Sequence, residues 1–149
     1  MSHSAHALLV YGADLGDGDC IPVPDTDEPL LDEDGNEVCG DVGAAHYYAV
    51  QRLCRYIPDG LPALGREPAI RKHFGIRFEW RGTDGYPLLL MVLDAYDVTP
   101  GEVMKIDLDA MKYDVRTARF EERIRAALVM IDVKPDDVQF GWLLAAYQE

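Results

Sequence analysis

The segment Ile76-Arg77-Phe78-Glu79-Trp80-Arg81, the step Gly82-Thr83-Asp84-Gly85-Tyr86 and the run Pro87-Leu88-Leu89-Leu90-Met91-Val92-Leu93 decide the fold. In the first part, apolar Ile76, Phe78 and Trp80 alternate with charged Arg77, Glu79 and Arg81, the period of a strand with one buried and one wet face. Gly82 to Gly85 is a turn. The apolar run beyond it has no wet face, which predicts a strand buried on both sides. The pair is a hairpin of one edge strand and one central strand.

Upstream, Ala5 to Tyr11 (AHALLVY) is a second continuously apolar run, closed by Gly12, and predicts another doubly buried strand. His46, Ala49, Val50, Leu53, Cys54 and Ile57 recur at helical spacing over 43–57, before Pro58-Asp59-Gly60. A shorter helix starts near Glu67, with Pro68 in its first turn, Ile70 and Phe74 facing inward and Gly75 closing it. Downstream, Phe120, Ile124, Ala127, Leu128 and Ile131 mark a helix over about 117–131. Val138, Phe140, Trp142 and Leu144 share one face of a final strand over 138–147. Residues 103–113 fit either period: Met104, Ile106 and Leu108 alternate, whereas Leu108, Met111 and Val115 suit a helix.

Strand, helix, strand, strand, helix, strand is the split βαβ pattern of an α+β, ferredoxin-like sandwich within a single domain spanning 1–149. That topology puts its first and third strands in the centre of the sheet, where the two doubly apolar runs belong. Helices would cover one sheet face only, so the other needs a cover. Either the segment 13–42 folds over it with Leu30, Leu31, Val38 and Cys39, giving a monomer, or a second protein packs there, a homodimer or another partner.

Segment 13–42 has neither period. Gly, Pro and Asp dominate, which reads as a long acidic insertion after the first strand. Within it, Asp32-Glu33-Asp34-Gly35-Asn36 lies between Pro29-Leu30-Leu31 and Glu37-Val38-Cys39, a hairpin signal. The net charge of −13 is concentrated here. The first Lys or Arg is Arg52, and residues 1–51 hold eleven carboxylates: Asp14, Asp17, Asp19, Asp25, Asp27, Glu28, Asp32, Glu33, Asp34, Glu37 and Asp41. The remaining residues hold 16 acids against 14 bases. Such a field repels phosphate backbones and anionic lipid headgroups and attracts basic protein surfaces, so neither nucleic acid nor membrane is the expected partner.

The motifs that carry chemistry are weak. Gly12-x-x-x-Gly16-x-Gly18 follows a strand, but Asp14, Asp17 and Asp19 would oppose phosphates and no Lys follows, so it reads as a flexible loop. Asp32-x-Asp34-x-Asn36 opens like a calcium loop, yet Glu37 stands where Gly is needed and Gly43 where the bidentate Glu belongs. A looser divalent site among Asp14, Asp17, Asp19, Asp25 and Asp27 is the alternative to a solvated acidic loop. Cys20, Cys39 and Cys54 lack C-x2-4-C spacing; they read as free thiols of a reducing compartment, with no zinc site.

His46 lies on an apolar helix face and reads as a core residue, and His73 complements a helix C-terminus. Asp94 and Asp97 would point to opposite faces of the third strand rather than converge on a substrate. Arg116, Arg119 and Arg123 form a basic stripe whose economical partners are the acidic insertion or Glu122. No catalytic motif and no cofactor signature is present, which ranks interaction above catalysis.

The blocks His6–Gly16 (HALLVYGADLG), Asp84–Tyr96 (DGYPLLLMVLDAY) and Pro135–Glu149 (PDDVQFGWLLAAYQE) resemble a loose group of small uncharacterised proteins of actinobacteria and their phages. The resemblance implies no activity and no functional residue. The start lacks the positive stretch of a secretory signal, so the expectation is a cytoplasmic acidic module. Its eleven carboxylates would bind a basic protein surface, in one form by imitating the charge of nucleic acid. The alternatives are a small enzyme or ligand-binding domain built around His46, Asp94 and Asp97, and a divalent-cation-stabilised domain.

Overall fold

The structure is a computed structural model and describes residues 5–25, 27–38, 40–58, 65–80, 87–92, 96–98, 101–113 and 115–148. It is an α+β arrangement built on an antiparallel sheet. β1 (Ala5–Asp14) pairs along its whole length with β5 (Gln139–Gln148), from Ala5 opposite Gln148 to Asp14 opposite Gln139. On its other edge β1 pairs with β3 (Leu89–Val92) and β4 (Tyr96–Val98), and β3 pairs with β2 (Ile76–Glu79). The strand order is β2-β3-β1-β5, with β4 following β3 along the same edge of β1.

β4 is an element the sequence pattern does not anticipate. Between the paired positions Met91 and Tyr96 lie four residues, where β1 has two between Leu9 and Gly12. The difference is even, so the alternation of faces keeps its parity across the step. At Gly12 the strands approach closely: a Cβ there would sit 2.3 Å from the Leu90 carbonyl oxygen. The expected turn at 82–85 and Asp94 lie outside the described residues.

α1 (Asp41–Cys54) buries Ala45, Ala49, Val50 and Leu53, with Asp41 in its first turn and Arg52 in its last, each complementing the helix dipole. α2 (Arg66–Phe74) ends at Gly75, whose φ of 64° supplies the left-handed C-cap. The ambiguous segment resolves into irregular backbone over 102–107 and a short helix α3 (Leu108–Tyr113). Asp107 starts that helix, its Oδ1 accepting from Ala110 N at 3.0 Å. The strand-like alternation before it does not make a buried face: Met104 is half-buried but Ile106 is exposed. α4 (Val115–Met130) turns Phe120, Ile124, Ala127 and Leu128 inward.

These helix faces join Tyr11, Ala13, Ile76, Phe78, Leu90 and Val92 in one core on one side of the sheet. Tyr11 packs against Phe120 and Trp142 at ring separations of 5.8 and 5.5 Å. The opposite face carries a smaller cluster of Leu8, Val10, Leu89 and Met91, with Leu143 and Ala145 beside it. Val10 and Met91 are fully enclosed, and the guanidinium of Arg77 donates from Nε to Met91 Sδ at 3.3 Å.

Among the described residues of the acidic segment, none packs against that second cluster. Leu15 and Ile21 of the segment are buried in the helix-side core, and Leu31, offered as cover, is 53% exposed. Nor is the loop after β1 loose. Leu15 N and Leu88 N extend the β-ladder to Leu88 O and Gly16 O, and Gly18 N and Ile21 N close successive turns on Leu15 O and Gly18 O. Two core side chains and these bonds hold the glycine-rich loop in place.

Candidate functional site

After Ile21 the acidic segment is drawn toward the helices. The Arg52 guanidinium donates to the Pro22 carbonyl, also lies 3.3 Å from Asp132, and sits over the Tyr48 ring. The segment then forms the expected turn: Leu31 bridges Glu37, Asp32 N donates to Asn36 O, and Val38 N donates to Leu30 O. Asp32 makes the turn itself, its Oδ1 accepting from Asp34 N at 3.0 Å and Asn36 N at 2.8 Å. The calcium-like spacing of Asp32, Asp34 and Asn36 therefore has a structural explanation: one carboxylate caps two backbone amides.

The turn overhangs α1 and α2 and encloses a cleft of about 610 Å³. Asp32, Glu33, Asp34, Glu37 and Val38 form its rim. One wall is α1, through Gly43, His46, Tyr47 and Val50. The other comes from the start of α2, through Gly65, Arg66, Glu67 and Pro68, with Trp80 after β2. Among the described residues, five carboxylates line the space against one guanidinium. That guanidinium is committed: Arg66 Nε lies 3.0 Å from Glu33 Oε1, and its charge centre sits 5.9 Å from the Tyr47 ring.

In the cleft lining His46 Nε2 lies 2.9 Å from Glu67 Oε1. The His46 ring packs edge-on against Phe78 and Trp80, at 5.3 and 6.1 Å between centroids. The expected core histidine is thus apolar only on its ring side, and its polar end turns to a carboxylate on the cleft. That hydrogen bond holds the Glu67 carboxyl below the usual glutamate range; burial opposes the shift, and the charges of His46 and Arg71 add to it.

The eleven carboxylates divide. Asp32, Glu33, Asp34 and Glu37 converge on the cleft. Asp14 and Asp17 bond backbone amides of their own loop, at Gly16 N and Asp19 N, and Asp19, Asp25, Asp27, Glu28 and Asp41 are exposed away from the cleft lining. Among the described residues no group of three or more His, Cys, Asp or Glu is arranged to hold a metal ion, so the looser divalent site among the loop aspartates is not assembled.

Asp97 sits on β4 opposite Leu8. Of the basic stripe, Arg123 Nη1 reaches Gly75 O at 3.5 Å, and the neighbouring Arg125 pairs with Glu121 at 3.0 Å and lies over Phe140. Arg52 and Arg66 hold the acidic segment. The two described cysteines are free thiols. Burial pushes Cys20 up, with the charges of Asp17, Asp19 and Asp14 adding to it, and burial pushes Cys54 up against the opposing charge of Arg66.

Sequence reasoning missed Glu67, Tyr47, Arg66 and Trp80 as parts of a site. His46 and Glu67 are 21 residues apart and meet only through the packing of α1 on α2. The available signal was a polar His on an otherwise apolar helix stripe. Neither a family model, nor a curated protein, nor a solved structure matches this chain. No helix among the described residues is long and apolar enough to cross a membrane.

Proposed function

We infer that this protein is an acidic interaction module that engages a basic surface of another protein through the Asp32–Glu37 turn and the cleft beneath it. The observation that carries the reading is the convergence of four of the eleven acids on one cleft with aromatic walls. A partner presenting basic side chains gains both charge complementarity and apolar contact there. The strand order β2-β3-β1-β5, with α1 and α4 on one face, supports a ferredoxin-like βαββαβ sandwich carrying the acidic segment as an insertion after β1. The free thiols at Cys20 and Cys54 support a cytoplasmic setting. Enclosure of Val10 and Met91 within one chain supports a monomer over a homodimer through the second sheet face.

The test is the salt dependence of binding to a basic peptide. Exposed charges are screened over about 10 Å at 0.1 M salt, so affinity falls as salt rises, and falls further in Asp32→Asn/Glu33→Gln/Asp34→Asn. Affinity indifferent to both changes removes the reading.

A second reading, a small-molecule-binding or catalytic domain, draws on the His46–Glu67 pair, since a carboxylate-oriented imidazole at a cleft is a common acid–base arrangement. A ligand screen that raises the melting temperature of the wild type but not of His46→Ala favours it; an unchanged melting temperature across the screen opposes it.

A further inference from the structure

We propose that the outer edge of β5 is a dimer interface, occupied by β5 of a second copy so that two sheets join into one. Among the described residues β5 pairs only with β1, and alternate residues of such a strand direct their N–H and C=O groups away from the sheet. An edge of this kind templates a further strand unless short length, charge, Pro or a bulge blunts it. The sheet treats its edges differently. β2 is four residues long and carries Arg77 and Glu79. β5 runs for ten residues as QFGWLLAAYQ, without charge or Pro and without a break in its register on β1, in a chain of net charge −13. At its middle Leu144 is 71% exposed.

The sequence of β5 selects its own copy. A twofold axis normal to a continuous sheet sets identical strands antiparallel, and facing residues must lie on the same side of the sheet, so one residue faces itself. With the axis at Leu144, that exposed side chain meets its copy, Trp142 meets Ala146 and Leu143 meets Ala145, each large group beside a small one. Leu143 and Ala145 already pack on the cluster of Leu8, Val10, Leu89 and Met91, and the second copy continues this apolar face across the joint. Val10 and Met91 stay enclosed within their own chain, because the joint is at the edge of the sheet and not on that face. Charge does not oppose the approach at the axis. Trp80, which follows β2, lines the acidic cleft, and β2 lies three strands from β5, about 14 Å. Asp14 faces Gln139 and Asp136 and Asp137 precede it, so these acids lie toward the end of the strand, with Gln139 about 17 Å from Leu144.

The experiment is light scattering of the purified full chain over a concentration series, with amide hydrogen exchange of β5 read on the same samples. Leu144→Lys sets two like charges face to face across the axis, and Val103→Lys makes the same change in charge at a residue 97% exposed elsewhere. Both sites are exposed, and unchanged circular dichroism confirms that both variants fold. Wild type and Val103→Lys are expected to show the mass of two chains, not weakened by salt, with slow exchange along β5; Leu144→Lys is expected to dimerise about tenfold or more weakly. A dimer that survives Leu144→Lys, that both variants weaken equally, or that salt dissociates overturns the proposal. A monomeric wild type overturns it too: slow exchange at β5 would then mean that the chain covers its own edge, and fast exchange that the edge is open to a strand of another protein.

Discussion

His46 and Glu67 are joined across 21 residues of sequence by a 2.9 Å contact between Nε2 and Oε1, and this contact links α1 to α2 in the lining of the acid-rimmed cleft. Because the folded-state carboxyl of Glu67 is held below its ordinary value, the contribution it makes to stability is whole above the unfolded glutamate value of about 4.3. It is lost as pH falls through the folded value. The carboxylate is half-exposed, so its worth is that of a surface pair, about 0.2–1 kcal/mol. Denaturant titrations of wild type and Glu67→Gln at pH 6 and pH 3.5 are expected to show the smaller acid-side loss in the variant. Parallel losses would mean that the pair contributes nothing.

Gly18 ties the acidic segment to α1. Its φ of 86° disfavours any side chain, and a Cβ would lie 2.4 Å from the Ala45 Cβ. Gly35 has a similar φ of 81° but open space around it. Gly18→Ala is therefore expected to cost about 2–4 kcal/mol, strain plus overpacking, and Gly35→Ala about 1–2 kcal/mol, strain alone. Urea midpoints for the two variants measure the difference; equal costs would show that the loop does not pack on the helix.

Ile21 is the residue that makes the acidic segment part of the core, being almost fully buried with Leu15 in the helix-side cluster. Ile21→Ala is expected to destabilise by about 2–5 kcal/mol, and limited proteolysis should then cut within 22–38 before anywhere else. A variant of wild-type stability would place the segment outside the core.

Cys20 and Cys54 have thiols raised by burial, and a raised thiol holds less thiolate at neutral pH. In a Cys39→Ser background both are expected to react with iodoacetamide several-fold more slowly than free cysteine at pH 7.5, with the rate rising toward pH 9.5. Reaction at the rate of free cysteine would contradict the burial of both.

The two doubly apolar runs, 5–11 and 87–93, were legible as central strands because burial on both faces removes polar residues from a strand, and no other demand obscures that signal. The Asp-Gly turn at 32–36 was legible for a similar reason, since Asp32 and Gly35 act locally. The cleft was not legible. Its parts come from residues 32–38, 43–50, 65–68 and 80, and each part taken alone looks like a solvated acid, a helix stripe or a strand end. Arg66 illustrates the difficulty: nothing local predicts that it reaches Glu33, 33 positions earlier, instead of water. The cover assigned to Leu31 also failed, because a short apolar pair beside a turn of charged residues is held at the surface by the turn.

The central claim is that a basic partner binds at the Asp32–Glu37 turn and the cleft below it. Amide chemical-shift mapping with an arginine-containing peptide tests this directly. The account predicts shifts concentrated at 31–38, 43–47, 65–68 and Trp80, reversed by salt. Shifts spread evenly over Asp14, Asp17, Asp19, Asp25 and Asp27, or gathered on Arg119 to Arg125 of α4, would contradict it.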